Sequence, residues 1–492
     1  MERILPIPAY IASLAPRNVA DARRLLALVP PEANALEYRL DLSEEAMEPA
    51  AVLELDLRPA ILTYRSLREG GGFQGSIEEY RRFVTEAYRS GGTVDVEHAS
   101  GLLGDPDELP DRRRTIASLH SPFSLPEDWA ARLSAMVATG ARAAKLVAGA
   151  ADLKASLAIA EIQKRQGDAC VAAFPMGPAS PPGRVLSALF GAALVYGSIE
   201  RETAAGQIAI RDLLGVYEVQ ENRQPESLFG IIGENPSRSL SPLLHNALFR
   251  ARGLPFLYLP LPVSDFEREA PHRVSFDPPF RGFSVTQPWK LQAAQAGVPS
   301  EDVAMTRAAN TLVFERGRWR AENTDVDGIF DTLADHDTGE GRSAIVLGAG
   351  GAARAAVVAA KRLGYEVAVA ARRDEEADRL AAALRVDSMA WGDVEQSEAD
   401  LYVNATSAGW SDGESSPIPS RVLEGRPLVF DFVYRRDGAE TATIQAARAA
   451  GCPTIDGLRM FAAQAVRQAQ LFGADGVSVG EVMGILGAGV QR

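Results

Sequence analysis

Lys145 sits inside an otherwise apolar run, Ala143-Ala-Lys-Leu-Val147, and His120 closes another, Thr115-Ile-Ala-Ser-Leu-His120. Glu37 and Arg39, Arg65 and Glu69, Arg184, and Gln207 stand late in comparable runs or just after them. Singly, each has an ordinary explanation: a lysine in a strand snorkels past a rim, a terminal histidine caps a loop, and arginines are solvated. Together they offer an amine, an imidazole able to take and return a proton, and guanidinium groups able to hold a carboxylate. A second group begins at Ser239 and Ser241, which alternate on a turn before a helix that starts near Pro242. Both hydroxyls can point into one pocket, where the helix N-terminus adds a positive field. An N-cap with an accidental second serine is the plainer alternative. Lys290 follows a strand ending at Thr286, and the pairs Asn310-Thr311 and Asn323-Thr324, the latter followed by Asp325, come after short apolar runs. Turn chemistry alone also produces such patterns.

The elements that must position these residues are legible as short apolar runs. In the first part of the chain the expected strands are Ile7–Leu14, Ala35–Leu42, Ala60–Ser66, Thr93–His98, Thr115–His120, Ala143–Ala148, Ala169–Phe174 and Ala193–Gly197. Helical patterns follow several of them: Ile77–Arg89, Trp129–Ala138, Leu153–Arg165 and Gln207–Val219. Eight strands alternating with helices predict an α/β fold, a compact (β/α)8 barrel over residues 1–222. The polar residues named above fall at the C-terminal ends of its strands, where a barrel keeps its chemistry. The polar stretch Glu221–Ser227, ENRQPES, reads as a tether.

Beyond the tether, Ser343–Leu347 reads as a buried strand, Gly348-Ala-Gly-Gly-Ala-Ala353 as a tight turn, and Arg354–Leu363 as an apolar-faced helix. Strand, glycine turn and helix in this order form a pyrophosphate cradle, with Gly348, Gly350, Gly351 and Ala352 at the turn. The next strand, Glu366–Ala370, runs into Arg372 and Arg373. An NAD site would place a carboxylate there for the ribose hydroxyls, whereas two arginines favour the extra phosphate of NADP. A helix-flanking charge cluster is the alternative.

The totals bound the rest. A chain of 492 residues exceeds one ordinary core and implies two or three domains. Cys170 and Cys452 are far apart, with neither metal-ligand nor redox-pair spacing, as expected in a reducing cytoplasm and without a bound metal. No apolar run reaches the length of a membrane span, and the N-terminus carries no signal-peptide pattern, so no membrane partner is expected. A net charge of −14 argues against nucleic acid, and anionic small molecules would need local Arg and Lys.

The strings ALEYRLD, LTYRSLREGG, ASLH, ARAAKLV, PGR and TAAGQIA resemble, in order, type I 3-dehydroquinate dehydratase. The resemblance implies that Lys145 forms a Schiff base with a ketone substrate, that His120 shuttles the proton, and that Glu69 orients His120. It further implies that Arg184 holds the carboxylate, while Glu37, Arg39, Arg65, Thr203 and Gln207 hold the ring hydroxyls and carboxylate. A lysine near its ordinary pKa of about 10.4 is a poor nucleophile, so burial and nearby positive charge are expected around Lys145. Two positions depart from the family: His120 is followed by Ser121-Pro122 rather than Asp-Phe, and Ala205 replaces a proline in the lid.

FGIIGENPSRSLSPLLHN, GFSVTQPWK, AANTL and ENTDVDG resemble the shikimate dehydrogenase family in the same ordered way. By that resemblance Lys290 and Asp325 are a catalytic pair, Ser239 and Ser241 hold the substrate carboxylate, and Thr286, Asn310, Tyr434 and Gln464 contact substrate. Asn404, Thr406 and Gly457 would lie near the nicotinamide. Ser284 stands where the family has asparagine, which predicts a shorter or water-borne contact to one hydroxyl. The loop Arg435–Glu440 is about two residues longer than the family's.

The expected organisation is therefore a dehydratase barrel at 1–222, a substrate lobe at 228–330 and 458–492, and a Rossmann NADP-binding lobe at 331–457. The expected function is bifunctional: 3-dehydroquinate dehydrated to 3-dehydroshikimate, then reduced to shikimate. A quinate-preferring dehydrogenase is one alternative. A non-catalytic sensor of these metabolites is another, but it should have lost Lys145, His120, Lys290 or Asp325, and all four are present.

Overall fold

A computed structural model describes residues 4–166, 170–221, 223–336, 341–409, 415–435 and 438–490. The chain divides into two compact units, Met1–Pro225 with Leu259–Asp265, and Glu226–Tyr258 with Phe266–Arg492.

The first unit is built on eight strands: β1 (Ala9–Leu14), β2 (Ala35–Arg39), β3 (Ala60–Thr63), β4 (Thr93–Glu97), β5 (Thr115–Ser121), β6 (Ala143–Gly149), β7 (Val171–Met176) and β8 (Leu194–Ser198). They lie in the order β7-β6-β5-β4-β3-β2-β1-β8, with parallel pairing at each step, and Ala193 N–H donates to the Val171 carbonyl where β7 and β8 meet. Their near-continuous apolar sequences suit strands buried on both faces. Register then decides what faces what: Ser118 pairs with Glu97 on one side and Lys145 on the other, and Ser13 pairs with Glu37.

Several elements are shorter than the sequence implies, among them β2, which gives way to a 3-10 turn at Leu40–Leu42, and two others with a clear cause. β3 stops at Thr63, because Ser66 leaves the ladder to bridge Phe73. The last helix runs only Ile210–Gly215, because Ala209 is held extended in a bridge to Ser198.

Two further sheets follow, in the second unit except for the Leu259–Pro262 end of one strand. In the first, β9 (Ser227–Gly233), β10 (Phe256–Pro262), β11 (Phe280–Val285), β12 (Val298–Pro299), β13 (Thr311–Glu315) and β14 (Arg318–Glu322) lie in the order β10-β9-β11-β13-β14-β12, with β11, β13 and β14 antiparallel. In the second, β15 (Ser343–Leu347), β16 (Glu366–Ala370), β17 (Asp387–Ser388), β18 (Leu401–Asn404), β19 (Leu428–Asp431) and β20 (Thr454–Ile455) are all parallel, in the order β17-β16-β15-β18-β19-β20. That is a doubly wound sheet whose strand order reverses beside β15. The helices Thr324–Ala334 and Gly457–Leu471 run between the two sheets. They approach closely because Gly328 lies against the backbone of Gln464, where an added Cβ would meet Gln464 N at 2.7 Å. Of the Arg435–Glu440 loop, Arg436 and Asp437 lie outside the described residues.

Candidate active sites

At the C-terminal end of the barrel, Glu37, Arg39, Arg65, Glu69, His120, Lys145, Arg184, Thr203 and Gln207 line one cavity. All nine come from the sequence reading. Lys145 Nζ donates to Asp95 Oδ2 at 3.0 Å, lies 3.9 Å from Glu37 Oε1, and sits 4.1 Å from the ring centroid of Tyr196. Its direct charged partners are thus carboxylates, and Arg65 supplies the nearby positive charge expected from the sequence, on the other oxygen of the shared Asp95. Glu37 also accepts from Ser13 Oγ and Thr63 Oγ1.

Glu69 Oε2 accepts from the backbone N–H of His120 at 2.9 Å and lies 3.1 Å from His120 Nδ1. A proton on Nδ1 leaves Nε2 as the free base, which is the tautomer general-base chemistry requires. Burial shifts both groups toward their neutral forms. The Glu69 carboxyl is pushed up to about 7, burial outweighing Arg65, and His120 is held well below its ordinary value, with Arg65 and Lys145 adding to the effect of burial.

Arg65 is wholly buried and committed to protein: it bonds Glu69 Oε2 at 3.0 Å, Ser118 Oγ at 3.0 Å and Asp95 Oδ1 at 2.7 Å. Arg39 is likewise held by Asp41 and by the Thr203 carbonyl. Arg184 differs. Its side chain is buried against Phe174, and among the described residues its Nε has no hydrogen-bond partner and no carboxylate forms an ion pair with it. Burial lowers its pKa to about 10, with Glu202 opposing. A buried guanidinium facing a cavity without a counter-ion is suited to an incoming carboxylate.

In the second unit a cavity of 510 Å3 is lined by Ser239, Ser241, Thr286, Lys290, Asn310, Asp325, Ala352, Thr406, Tyr434, Gly457 and Gln464. Ser239 Oγ donates to Ser241 Oγ at 3.0 Å at the start of the helix Ser241–Ala251, so both hydroxyls and the helix N-terminus share this space. Lys290 Nζ donates to Asp325 Oδ2 at 2.6 Å, and Asn310 Nδ2 donates to Asp325 Oδ1 at 2.8 Å. The main chain of Lys290 is tied down as well, its carbonyl accepting from Ala309 N–H at 2.8 Å. Asn310 Nδ2 also approaches Gln464 Oε1 at 3.3 Å.

Residues 10–224 match the family described as type I 3-dehydroquinase, and residues 231–312 match the shikimate dehydrogenase substrate binding domain. A shikimate dehydrogenase (NADP(+)) from Maridesulfovibrio salexigens is 34% identical over 51% of this chain and 92% of its own. The chain belongs to the shikimate dehydrogenase family. A chloroplastic bifunctional 3-dehydroquinate dehydratase/shikimate dehydrogenase from Arabidopsis thaliana is 28% identical over 89% of this chain and 77% of its own. A solved structure of dehydroquinate dehydratase and shikimate dehydrogenase from S. pombe AroM aligns over 99% of both chains, with 21% identity and a TM-score of 0.44.

The dehydrogenase unit fits NADP. Gly348, at φ +118°, lies against the Ala405 carbonyl, and a Cβ on Gly350 would meet nothing within 4 Å, so the start of the helix Gly351–Arg362 is open to a pyrophosphate. Arg372 and Arg373 are exposed beyond β16. Arg373 pairs with Glu376 at 2.5 Å, while Arg372 has no ion-pair partner among the described residues. Asn404 does not line the cavity. It is buried and holds the loop, donating to Asp431 at 2.8 Å and accepting from Thr406 N–H at 3.1 Å. Gly457 is required where it stands, with the Phe432 and Val433 carbonyls 2.6 Å from an added Cβ.

Three participants escaped the sequence reading. Asp95, at 0% side-chain exposure, bridges Lys145 and Arg65, and its only sequence signal is a carboxylate alternating with another in Thr-Val-Asp-Val-Glu97. Tyr196 packs beneath Lys145 on β8. Gln468 is one helical turn beyond Gln464, a spacing that puts both on one face. Ser284 Oγ accepts from the Tyr258 hydroxyl at 2.6 Å and donates to Gln468 Oε1 at 2.8 Å. Ser284 also lines the cavity of the second unit, so the contact to a substrate hydroxyl expected from the sequence would come from an Oγ already held by Tyr258 and Gln468.

Proposed function

We propose that the barrel dehydrates 3-dehydroquinate to 3-dehydroshikimate and that the second unit reduces this product to shikimate with NADPH. The observation that carries this reading is that Lys145 and Lys290 each line a separate polar cavity, the first beside His120 and Arg184, the second paired with Asp325 below the glycine turn. Residues 1–222 are assigned to the dehydratase, 228–330 with 458–492 to the substrate lobe, and 331–457 to the cofactor lobe. Free thiols at Cys170 and Cys452 support a cytoplasmic setting. Among the described residues no helix is long and apolar enough to cross a membrane.

In the barrel, neutral Lys145 attacks the substrate ketone, and loss of water gives an imine. Once protonated, the imine draws electrons from the adjacent carbon, and Asp95 and Glu37 favour its positive charge. His120 takes the proton from that carbon and returns it to the departing hydroxyl, which leaves as water. Hydrolysis of the imine then frees Lys145. Arg184 holds the carboxylate and fixes the ring.

In the second unit, NADPH when bound supplies the hydride. Gly348, Gly350, Gly351 and Ala352 would hold its pyrophosphate and Arg372 its extra phosphate. Lys290 and Asp325 deliver a proton to the carbonyl oxygen, Asn310 fixes Asp325, and Ser239 and Ser241 hold the substrate carboxylate.

Borohydride treatment with 3-dehydroshikimate, followed by peptide mapping, should give a single adduct on Lys145. Full dehydratase turnover with no adduct there would overturn the assignment.

A further inference from the structure

Lys145, Tyr196, Phe174 and Arg184 all line the barrel cavity, and they stand in series. Lys145 Nζ lies 4.1 Å from the centroid of the Tyr196 ring, the Tyr196 and Phe174 rings are 5.9 Å apart and inclined by 45°, and Arg184 Cζ lies 5.0 Å from the centroid of Phe174. Phe174 comes from β7 and Tyr196 from β8, so the aromatic pair is built where these two strands meet. The other arginines of this cavity are held by carboxylates, Arg65 by Asp95 and Glu69, and Arg39 by Asp41. Arg184 has a ring instead. Among the described residues no carboxylate reaches it within ion-pair distance, and the exposed Glu202 acts on it only from farther away.

We propose that Phe174 is a positioning residue for Arg184, its ring standing where a counter-ion would otherwise be and leaving the guanidinium N–H groups for a substrate carboxylate. The inference rests on the reading of Arg184 as the carboxylate holder. A buried cation without support is costly, and a buried carboxylate beside it would remove that cost. Such a partner would also occupy the N–H donors, and an incoming carboxylate would have to displace it. The negative face of an aromatic ring offers a different solution. It attracts the cation, more strongly where water is excluded, yet takes none of the N–H bonds that a carboxylate takes. Tyr196 packs against Phe174 and so holds that ring in its tilt, while its own ring lies beside Lys145 Nζ. One aromatic pair thus sets the placing of the clamp relative to the reacting amine.

The test keeps the shape of the side chain and changes only its charge distribution. Phenylalanine analogues with one, two and three ring fluorines, placed at position 174 of the full chain, weaken the negative face step by step. KM for 3-dehydroquinate should rise with each fluorine, to about 3- to 30-fold at three, the range of a cation–π contact, with kcat nearly unchanged. Packing alone is indifferent to the ring's quadrupole, so a KM that does not follow the fluorine count overturns the proposal. In an Arg184→Met background the same series should leave kcat/KM flat, and a slope there would show that the ring does not act through Arg184. Dehydrogenase activity of each sample, which should be constant, reports the amount of folded chain. Failure of the functional reading itself is distinguishable: wild-type protein would then not turn over 3-dehydroquinate at all.

Discussion

Gly351 and Lys290 are packed so closely that a Cβ on the glycine would stand 2.9 Å from Cδ of the lysine and 3.1 Å from its Cβ. The glycine that opens the cofactor helix therefore also seats the lysine that pairs with Asp325. Gly351→Ala should push the Lys290 stem away from Asp325 and lower dehydrogenase kcat by about 10- to 100-fold, the scale of a misplacement near 1 Å. Dehydratase activity measured on the same sample should be unchanged, which separates this effect from misfolding.

Asp95 has no solvent exposure and stands between Lys145 and Arg65. Asp95→Asn would leave two buried cations without their shared carboxylate, at a cost of about 3–5 kcal/mol. Calorimetry should show the barrel transition moving to lower temperature while the dehydrogenase transition stays in place. Dehydratase turnover should fall as well, because Lys145 Nζ loses its 3.0 Å anchor.

The difference between Asp95 and its neighbours explains how much was legible in advance. Lys145, His120 and Ser239 announced themselves because a polar residue late in an apolar run, or doubled before a helix, conflicts with plain element chemistry. The barrel and the doubly wound sheet were legible for the same reason, since runs of buried strand and the glycine turn repeat a period that burial imposes. Asp95 was not legible because its partners, Lys145 and Arg65, lie 50 and 30 residues away, and only strand register brings them together. Ser284 shows the other limit. Its place at the cavity was legible, but its bonds to Tyr258 and Gln468 were not, because side-chain hydrogen-bond partners are not encoded in local sequence.

Arg372 tests the cofactor preference. It is exposed at the end of β16 without an ion-pair partner among the described residues, whereas Arg373 is engaged by Glu376. Arg372→Asp should raise KM for NADPH about 10-fold or more by replacing an attractive charge with a repulsive one, and should narrow the gap to NADH. Arg373→Ala should have the smaller effect. Initial rates with both reduced cofactors at saturating 3-dehydroshikimate check the order.

Glu69 and His120 set the pH response of the dehydratase. Glu69 titrates at about 7 because burial penalises its carboxylate, with nearby Glu97 adding to this and Arg65 opposing. His120 stays neutral well below its ordinary pKa, chiefly because it is buried. Ionised Glu69 is the form that accepts from Nδ1–H and raises the basicity of Nε2, so kcat/KM should climb with pH and level off above an apparent pKa of about 7 that belongs to the pair. Stability moves the other way over this window. The folded protein binds the Glu69 proton more tightly than the unfolded chain, so the contribution of Glu69 falls as pH rises from the ordinary glutamate value of 4.5 to about 7. His120, whose folded pKa is depressed, loses its contribution only as pH drops below its ordinary 6.5. Glu69→Gln should abolish the rising limb of the rate profile and remove the Glu69 part of the stability loss between pH 4.5 and 7. A rate profile in the variant that still climbs through neutrality would show that the limb belongs to another group.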